Sequence, residues 1–327
     1  MEDVRFSVVI PLYNKGTHVE RALRSVQLQP SLVTEIIVVD DGSTDEGPQL
    51  VSKMASGDPR IRLIRQRNSG VSVARNVGVS AASNLFILFL DADDEWLDGY
   101  VSKIQSLIQS FPHCAIFATA YTLRYADGLL ETPNFREVPR NERGGVIERF
   151  FRATSEGRSP VCASAVCVRK VAFQEVGGFP AGVSHGEDRV LWGKLALRYE
   201  VAWVPFNGAV YHMGTTSQSA QSWSPQRGKV YLQFLDTALS TQNDNGINEW
   251  GWVVNDIRCA IVAQHRIALN NSVSRGFYRA AFDELRWLSL NDNKVRLPKY
   301  LMRIIVPATV RSFMKRIFCL VKVRYAK

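Results

Sequence analysis

The side chains best suited to chemistry follow a short apolar run. FILFL (86–90) leads directly into Asp91, Asp93, Asp94 and Glu95. Asp91 and Asp93 fall on one side of an extended backbone, because the side chains of a strand alternate between two faces. Mg²⁺ and Mn²⁺ commonly take one or two carboxylates while substrate phosphates supply the other ligands, so this pair predicts a divalent-cation site. The alternative is a helix start, where the dipole favours acids, and it applies above all to Asp94 and Glu95.

Polar groups also follow two earlier apolar runs. Pro11, Tyr13 and Asn14 come at the end of the first run, and Asp40 and Asp41 follow the second, EIIVV. An aromatic ring with an amide suits a base and its ribose, and the two carboxylates suit a base N–H or a ribose hydroxyl. Taken with DADDE, these groups predict a nucleotide pocket beside a metal and diphosphate site. A plain turn is the alternative for DDGSTDE, which is rich in Asp, Gly and Ser.

The glycine-bearing segment NSGVSVARNVG (68–78) opens a predicted helix. It matches neither GxGxxG nor GxxxxGK[ST], which argues against dinucleotide-binding and P-loop proteins. Arg75 within it either balances the nearby acids or reaches a diphosphate, and a surface salt bridge is the alternative.

The elements that must position these groups are an alternation of apolar runs and helical patterns. Short continuous apolar runs between turn signals are typical of parallel strands covered on both faces, and strand–helix–strand order predicts a parallel α/β sheet. Because ligands bind beyond the carboxyl ends of such strands, we expect the polar groups at one edge. Strands are predicted at 6–12, 35–39, 61–64, 85–90, 115–121, 161–168 and 201–205.

Local signals predict two helix starts and one long loop. Thr17 with Glu20, and Ser43 with Glu46, are each spaced as a capping box. Residues 126–160 are polar and rich in Gly, Pro and Arg. A loop of this length is usually functional or disordered, so we expect it near the rim of the active site.

Strand patterns stop near residue 225, and only helical patterns follow. The change predicts an α/β domain over 1–225 and a helical region over 226–327. Helices of the second unit are predicted at 226–242, 248–270, 273–289 and 297–319.

The net charge is concentrated at the C-terminal end. The 327 residues carry a net charge of +9, but ten of the 40 Lys and Arg and no acidic residue lie in 294–327, which leaves 30 basic and 31 acidic residues elsewhere. A nucleic-acid partner is therefore not expected. Segment 299–327 alternates apolar and basic residues, as do helices on anionic membrane surfaces. The alternative is a packed C-terminal helix with a solvated basic face.

Cysteine use and the N-terminus both indicate a cytoplasmic protein. The five cysteines form no CxxC pair, so zinc is not expected and a reducing compartment fits. MEDVRFSVVIPLY is neither a signal peptide nor a membrane span. The expected location is the cytoplasm, with peripheral attachment to the inner face of the plasma membrane if the basic segment binds lipid.

In their order along the chain, these stretches resemble the family 2 glycosyltransferases, which are nucleotide-sugar-dependent enzymes of the GT-A fold. The resemblance implies a Rossmann-like, mostly parallel sheet flanked by helices, here with a C-terminal helical extension. Any one motif is weak, and the ordered set is specific. The matching stretches are SVVIPLYN (7–14), EIIVVDDGSTD (35–45), NSGVSVARNVGVSAA (68–82), LFLDADDEW (88–96), VGGF (176–179), GEDRVLW (186–192) and YHMGTTSQS (211–219).

On the nucleotide side, the resemblance implies that Pro11, Tyr13 and Asp41 border the base. Asp41 would accept a hydrogen bond from a base N–H, with Asp40 close by. The predicted nucleotide-binding set is Pro11, Tyr13, Asn14, Asp40, Asp41, Arg75 and Asp91.

On the reacting side, the resemblance implies that Asp91 and Asp93 form the DxD motif, which holds Mn²⁺ or Mg²⁺ on the donor diphosphate. His212 lies where the family often has a residue near the diphosphate or metal, so the predicted metal set is Asp91, Asp93 and His212; a histidine at the end of a strand is the alternative for His212. Asp188, within the Glu187-Asp188 pair, would be the general base, and a helix N-terminus is the alternative for this pair. Metal on the diphosphate neutralises the leaving group, and a nearby carboxylate deprotonates the acceptor hydroxyl.

The predicted function is sugar transfer with inversion. The donor is expected to be a UDP-sugar, and the acceptor a saccharide or a lipid-linked molecule in surface polysaccharide or glycolipid synthesis. One alternative is a sugar-1-phosphate nucleotidyltransferase, although PLYNKG lacks the glycine-rich loop of that class. The other is a non-catalytic nucleotide-sugar-binding protein, against which Asp91, Asp93 and Asp188 argue.

Overall fold

A computed structural model describes residues 4–155, 158–183, 185–214, 229–244 and 251–292. Helices and strands alternate through the first half, as the apolar runs predict. The strands are β1 (Phe6–Leu12), β2 (Val33–Asp40), β3 (Ile61–Arg65), β4 (Phe86–Phe89), β5 (Glu95–Trp96), β6 (Ile116–Arg124), β7 (Leu130–Glu131), β8 (Gly145–Val146), β9 (Val166–Arg169) and β10 (Val201–His212). The helices are α1 (Gly16–Gln27), α2 (Gly47–Ala55), α3 (Val71–Ala81), α4 (Tyr100–Ser110), α5 (Phe150–Ala153), α6 (Lys170–Glu175), α7 (Glu187–Ala196), α8 (Lys229–Asp244), α9 (Gly251–Ser274) and α10 (Tyr278–Asn291).

The strands form one sheet in the order β3-β2-β1-β4-β9-β6-β10-β5, with β7 paired to β6 and β8 paired to β10. Strands β3, β2, β1 and β4 are parallel to one another, and β6 and β10 are parallel to each other. Strand β9 runs antiparallel between β4 and β6. The sheet is mostly parallel and flanked by helices, and helices α8 to α10 follow it. This confirms the predicted α/β fold class.

Two predicted strands differ from the structure. The predicted strand 161–168 is interrupted by a 3-10 turn at Ala163–Ala165, and only Val166–Arg169 forms a strand. The predicted strand 201–205 continues to His212 as β10. Pro205 does not end it, because the register with β6 shifts between Val204 and Ala209, and proline is tolerated at such irregularities.

The predicted long loop 126–160 contains the short elements β7, β8 and α5. Its aromatic side chains Phe135, Phe150 and Phe151 are buried. The ring of Phe135 lies 5.3 Å from that of Tyr121 and 5.7 Å from that of Trp203. Aromatic pairs at such separations stabilise a core beyond the area that they bury, so this segment packs against the sheet.

The two helix starts are capped differently from the prediction. Helix α1 begins at Gly16, ahead of Thr17, and neither α1 nor α2 has a side-chain cap from its own N-cap residue. Instead, one carboxylate serves both helices. Oδ2 of Asp45 accepts a hydrogen bond from the backbone N–H of Gly16 over 2.7 Å, and Oδ1 accepts one from Gly47 over 3.0 Å.

Helices α8 and α9 share the core of the sheet. Tyr231 and Leu235 of α8 and Ile257 of α9 belong to the same buried cluster as the strands. The boundary predicted near 225, and everything predicted beyond residue 292, lies outside the described residues. None of the helices in the described part of the chain is both long and apolar enough to cross a membrane.

Candidate active site

The carboxyl ends of β2, β1 and β4 lie side by side, since the three strands are parallel neighbours. The residues that follow them therefore meet at one edge of the sheet. Asn14, just beyond β1, has a φ of 50°, a conformation that Asn tolerates better than most residues. Its Oδ1 accepts a hydrogen bond from the N–H of Thr44 over 2.8 Å, and its own N–H donates to Oγ of Ser43 over 3.0 Å. Asn14 thus joins the loops after β1 and β2.

Asp41 is buried beyond the end of β2 and fixes a third loop. Its carboxylate accepts hydrogen bonds from the backbone N–H groups of Ser69 over 2.7 Å and Gly70 over 2.8 Å, and from Nε2 of Gln66 over 2.7 Å. Gly70 has a φ of 90°, which favours glycine. Asp41 therefore holds the start of α3 close to β2, and its contact with a base stays a prediction.

Three other residues of the predicted nucleotide set lie at the same edge. Oδ1 of Asp40 accepts a hydrogen bond from the N–H of Ser43 over 2.9 Å and closes the turn after β2. Tyr13 is 40% exposed, and Pro11 beside it is half-buried. An exposed ring next to a rigid turn is available for stacking against a base.

Arg75 of α3 lies under this edge and links two of the predicted motifs. One nitrogen of its guanidinium donates to Oδ1 of Asp91 over 2.6 Å, and another donates to Oε1 of Glu187 over 2.9 Å. The guanidinium carbon lies 5.1 Å from the ring centre of Phe179. Burial by itself lowers the pKa of Arg75, but the charges of Asp91 and Glu187 outweigh it and raise that pKa. Arg75 is therefore a buried ion-pair centre, and its predicted alternative as a surface salt bridge is wrong.

Asp93 lies against two cationic side chains of the α1 region. Nζ of Lys15 is 2.5 Å from Oδ2 of Asp93, and Arg21 donates a hydrogen bond to the backbone carbonyl of Asp93. His18, one turn along α1, has a lowered pKa, first because of burial and then because of the charges of Arg21 and Lys15. This end of α1 therefore presents positive charge to the loop after β4.

Asp94 and Glu95 do not start a helix, because α4 begins only at Tyr100. Asp94 is buried and accepts hydrogen bonds from Oγ of Ser164 and from the backbone N–H of His212. Burial, and then the charges of Asp93 and Asp91, raise the pKa of Asp94 well above its usual value. Asp94 thus fastens the loop after β4 to the end of β10.

Glu95 lies in β5, which pairs antiparallel with β10. Its Oε1 is 2.8 Å from Nε2 of His212. The His212 side chain is 12% exposed and lies at the carboxyl end of β10. The structure therefore brings His212 to the loop that carries Asp91 and Asp93, and its role as a metal ligand stays a prediction.

Helix α7 begins with the predicted Glu187-Asp188 pair, directly after Gly186. Glu187 is buried, and its pKa is raised by burial and by the charge of Asp188, although Arg75 opposes this. Asp188 is half-buried, and its Oδ1 accepts a hydrogen bond from the N–H of Arg189 over 2.7 Å. Glu187 is part of the buried ion pair with Arg75. The neighbouring Asp188 remains partly exposed to solvent.

Asp91 and Asp93 suit a divalent cation chemically. Both offer the hard oxygen ligands that Mg²⁺ and Mn²⁺ prefer, and their side chains remain 25% and 18% exposed. Each carboxylate already pairs with one cationic side chain, Asp91 with Arg75 and Asp93 with Lys15. The residues therefore fit a cation whose other ligands come from a diphosphate, and its presence stays a prediction.

Several residues of this edge were missed by sequence reasoning. Lys15 and Arg21 look like ordinary helix-surface cations, and Ser164 lies in an apolar stretch that predicts a strand. Their partners are between 70 and 78 positions away in the sequence. A polar serine within an apolar run was the one local signal for Ser164, since buried hydroxyl groups need hydrogen-bond partners.

The amino-acid sequence matches a known protein family. Residues 7–171 match the sequence model described as "Glycosyl transferase family 2". An "Uncharacterized glycosyltransferase" of Rickettsia felis is 30% identical over 209 residues, which is 62% of this chain and 32% of that protein. The "Uncharacterized glycosyltransferase YibD" of Escherichia coli is 42% identical over 91 residues, 28% of this chain and 26% of that protein. The matched part of the chain thus spans about a third or less of these relatives.

Solved structures agree on the fold. The first 349 residues of S. aureus TarS, in complex with UDP-GlcNAc, superpose with a TM-score of 0.65 at 17% identity and cover 92% of this chain and 81% of that chain. The complex of the same protein with UDP gives a TM-score of 0.52 at 20% identity, over 86% of this chain and 87% of that chain. At such identities the likeness concerns the fold alone.

Proposed function

The chain belongs to glycosyl transferase family 2, and on that premise we propose that it transfers a sugar from a nucleoside-diphosphate donor to a hydroxyl group with inversion. The observation that carries the proposal is the double ion pair of Arg75. It joins Asp91, beyond β4, to Glu187, at the start of α7. The pair brings Asp91 and the start of α7, which also carries Asp188, to one edge of the sheet, and open α/β sheets bind ligands at such an edge.

On the donor side, Tyr13 stacks against the base and Asp41 or its loop contacts the base edge. Asp91 and Asp93 would hold Mn²⁺ or Mg²⁺, which would supply Lewis-acid neutralisation of the diphosphate leaving group. Lys15, whose Nζ already lies against Asp93, adds positive charge next to that group. Such preorganised charges stabilise the charge that develops as the sugar–phosphate bond breaks.

On the acceptor side, Asp188 is the general base. Its half-buried carboxylate takes the proton of the acceptor hydroxyl as that oxygen attacks the anomeric carbon. The new glycosidic bond forms while the bond from the anomeric carbon to the diphosphate oxygen breaks, and the nucleoside diphosphate leaves. A base on the face opposite the leaving group gives direct displacement and therefore inversion. Alignment of the two sugars lowers the barrier further, by up to ~7–11 kcal/mol in favourable systems.

We propose a UDP-sugar as donor and a saccharide or a lipid-linked molecule as acceptor, in the synthesis of a surface polysaccharide or glycolipid. The uridine proposal is supported by the UDP and UDP-GlcNAc complexes of TarS, whose fold this chain shares. A lipid-linked acceptor would be reached from the inner face of the membrane, which agrees with the basic segment 294–327. Family membership disfavours the nucleotidyltransferase alternative.

The test is a donor screen with the full chain. The protein is incubated with Mn²⁺ or Mg²⁺ and a panel of nucleotide sugars, with saccharides or lipid extracts as acceptors, and release of nucleotide is measured. Asp188→Asn should abolish release and leave donor binding close to that of the wild type. Asp236→Asn, on the exposed surface of α8, is the matched control and should remain active.

Two outcomes would contradict the proposal. Release that persists in Asp188→Asn would remove this residue as the base. Tight donor binding without release by the wild type, across all acceptors, would instead favour the non-catalytic nucleotide-sugar-binding alternative.

A further inference from the structure

The face of α10 that points away from the core carries large apolar side chains interspersed with arginine. Tyr278, Phe282, Arg286 and Leu290 recur every four residues and form one stripe along the helix. Tyr278, Phe282 and Leu290 are 44%, 47% and 80% exposed. Arg279 is exposed beside the stripe. A soluble protein rarely leaves such a patch at its surface unless the patch contacts something.

The opposite face fixes the rotation of the helix. Ala281, Leu285 and Leu288 are buried in a small cluster with Leu269 and Val273 of α9. Turning α10 to hide the stripe would expose this cluster, so the stripe stays at the surface.

The charge of this region and of the chain that follows it favours an anionic partner. Arg279 and Arg286 flank the apolar side chains, and Asp283 is the acidic residue exposed on the same face. Helix α10 ends next to Asp292, whose carboxylate accepts a hydrogen bond from Nε of Arg266 over 2.6 Å. That bond anchors the end of α10 to α9, at the point where the chain enters the basic segment 294–327, which has ten Lys and Arg and no acidic residue.

We propose that this face of α10, defined by Tyr278, Arg279, Phe282, Arg286 and Leu290, docks on an anionic lipid bilayer. Aromatic and aliphatic side chains at such a face enter the boundary between headgroups and acyl chains. The arginines remain at the headgroups and pair with their phosphates. The basic segment adds attraction to the same surface, so the helix face and the segment act together and orient the protein on the membrane.

The first test measures co-sedimentation of the full chain with vesicles of phosphatidylcholine, alone or with phosphatidylglycerol. Phe282→Ser combined with Leu290→Ser should lower partition to the anionic vesicles about tenfold. The matched control is Leu129→Ser with Leu130→Ser. Leu129, in the turn before β7, is 60% exposed, and Leu130, the first residue of β7, is 57% exposed. The control should partition like the wild type.

The second test changes only charge. Arg279→Glu with Arg286→Glu should lower partition about tenfold or more, because each basic residue near the surface contributes to the attraction. The loss should shrink as salt is raised, since salt screens surface charge. Arg24→Glu with Arg62→Glu, on exposed parts of α1 and β3, is the matched control and should bind as the wild type does.

Circular dichroism and thermal denaturation show whether each variant is folded. The proposal is overturned if both α10 variants are folded and sediment like the wild type, since the basic segment would then act alone. It is also overturned if the wild type is a dimer in light scattering and the variants are monomers, because a second copy would then cover the face. Partition does not require sugar transfer, so a failed donor screen leaves this test unaffected.

Discussion

The guanidinium of Arg75 donates a hydrogen bond to Oε1 of Glu187 over 2.9 Å, although 112 positions separate the two residues in the sequence. The same guanidinium holds Asp91. The loop after β4 and the start of α7 are therefore fixed relative to each other through one buried cation. The position of Asp188, the neighbour of Glu187, depends on it.

Arg75→Met should destabilise the protein and lower its activity. Replacing the cation leaves Glu187 buried without its counter-ion, and breaking a buried pair in this way costs ~3–5 kcal/mol. Misplacement of Asp91 and Asp188 should reduce turnover by about 100-fold. Urea denaturation and donor turnover measure the two effects.

Arg62→Met is the control. Arg62 lies on β3, is half-exposed and pairs with Glu35, so its replacement should lower the free energy of unfolding by at most ~1 kcal/mol. An equal loss in both variants would contradict the assignment of Arg75.

Asp58, in the turn before β3, should make stability depend on pH. Hydrogen bonds from the Arg60 guanidinium hold the pKa of Asp58 well below its usual value. The pKa of Asp58 is lower in the folded than in the unfolded protein. The Asp58 carboxylate therefore stabilises the fold above the unfolded pKa of ~3.9, and this stabilisation is lost as the pH falls through the folded pKa. Asp58→Asn should therefore cost roughly 2 kcal/mol at neutral pH.

Denaturation of both proteins between neutral and strongly acid pH checks this prediction. The stability difference between wild type and Asp58→Asn should shrink as the pH falls. A difference that is constant over the whole range would show that the carboxylate charge is not responsible.

Tyr13→Ala should weaken donor binding, and Tyr13→Phe should not. The ring is exposed at the carboxyl edge of the sheet, and base–aromatic stacking contributes ~1–3 kcal/mol, so the Kd should rise about tenfold or more. Isothermal titration with UDP measures it. Phe keeps the stacking surface, so equal losses in the two variants would point to the hydroxyl group instead.

Asp45→Ala should destabilise two helices at once. Its two carboxylate oxygens accept from the first turns of α1 and α2, and a lost cap costs ~1 kcal/mol, so the free energy of unfolding should fall by about 2 kcal/mol. Asp236→Ala, on the exposed face of α8, is the control and should change little. If Asp45→Ala costs no more than that control, the shared cap is unimportant.

The sequence by itself determined the elements and the edge at which polar groups gather. The strands β1, β2 and β4 are apolar runs whose ends are marked by polar residues, and both features are local. Because neighbouring parallel strands bring their carboxyl ends together, Asp41 and Asp91 could be placed at one edge before any contact was known. The fold class followed from the same alternation.

The tertiary structure alone decided which acid has which partner. Asp91, Asp93 and Asp94 are near neighbours in one acidic run, yet Asp91 holds Arg75, Asp93 holds Lys15, and Asp94 is buried against Ser164. Strand β9 runs antiparallel to its neighbours and thereby brings the turn that contains Ser164 to the loop after β4. The apolar pattern of β9 does not predict this direction. Apolar periodicity depends on neighbours in sequence, whereas a buried carboxylate is stabilised only by donors or cations that the topology brings within hydrogen-bond distance. For Asp91, Asp93 and Asp94 those partners lie between 16 and 118 positions away, so no local pattern specifies them.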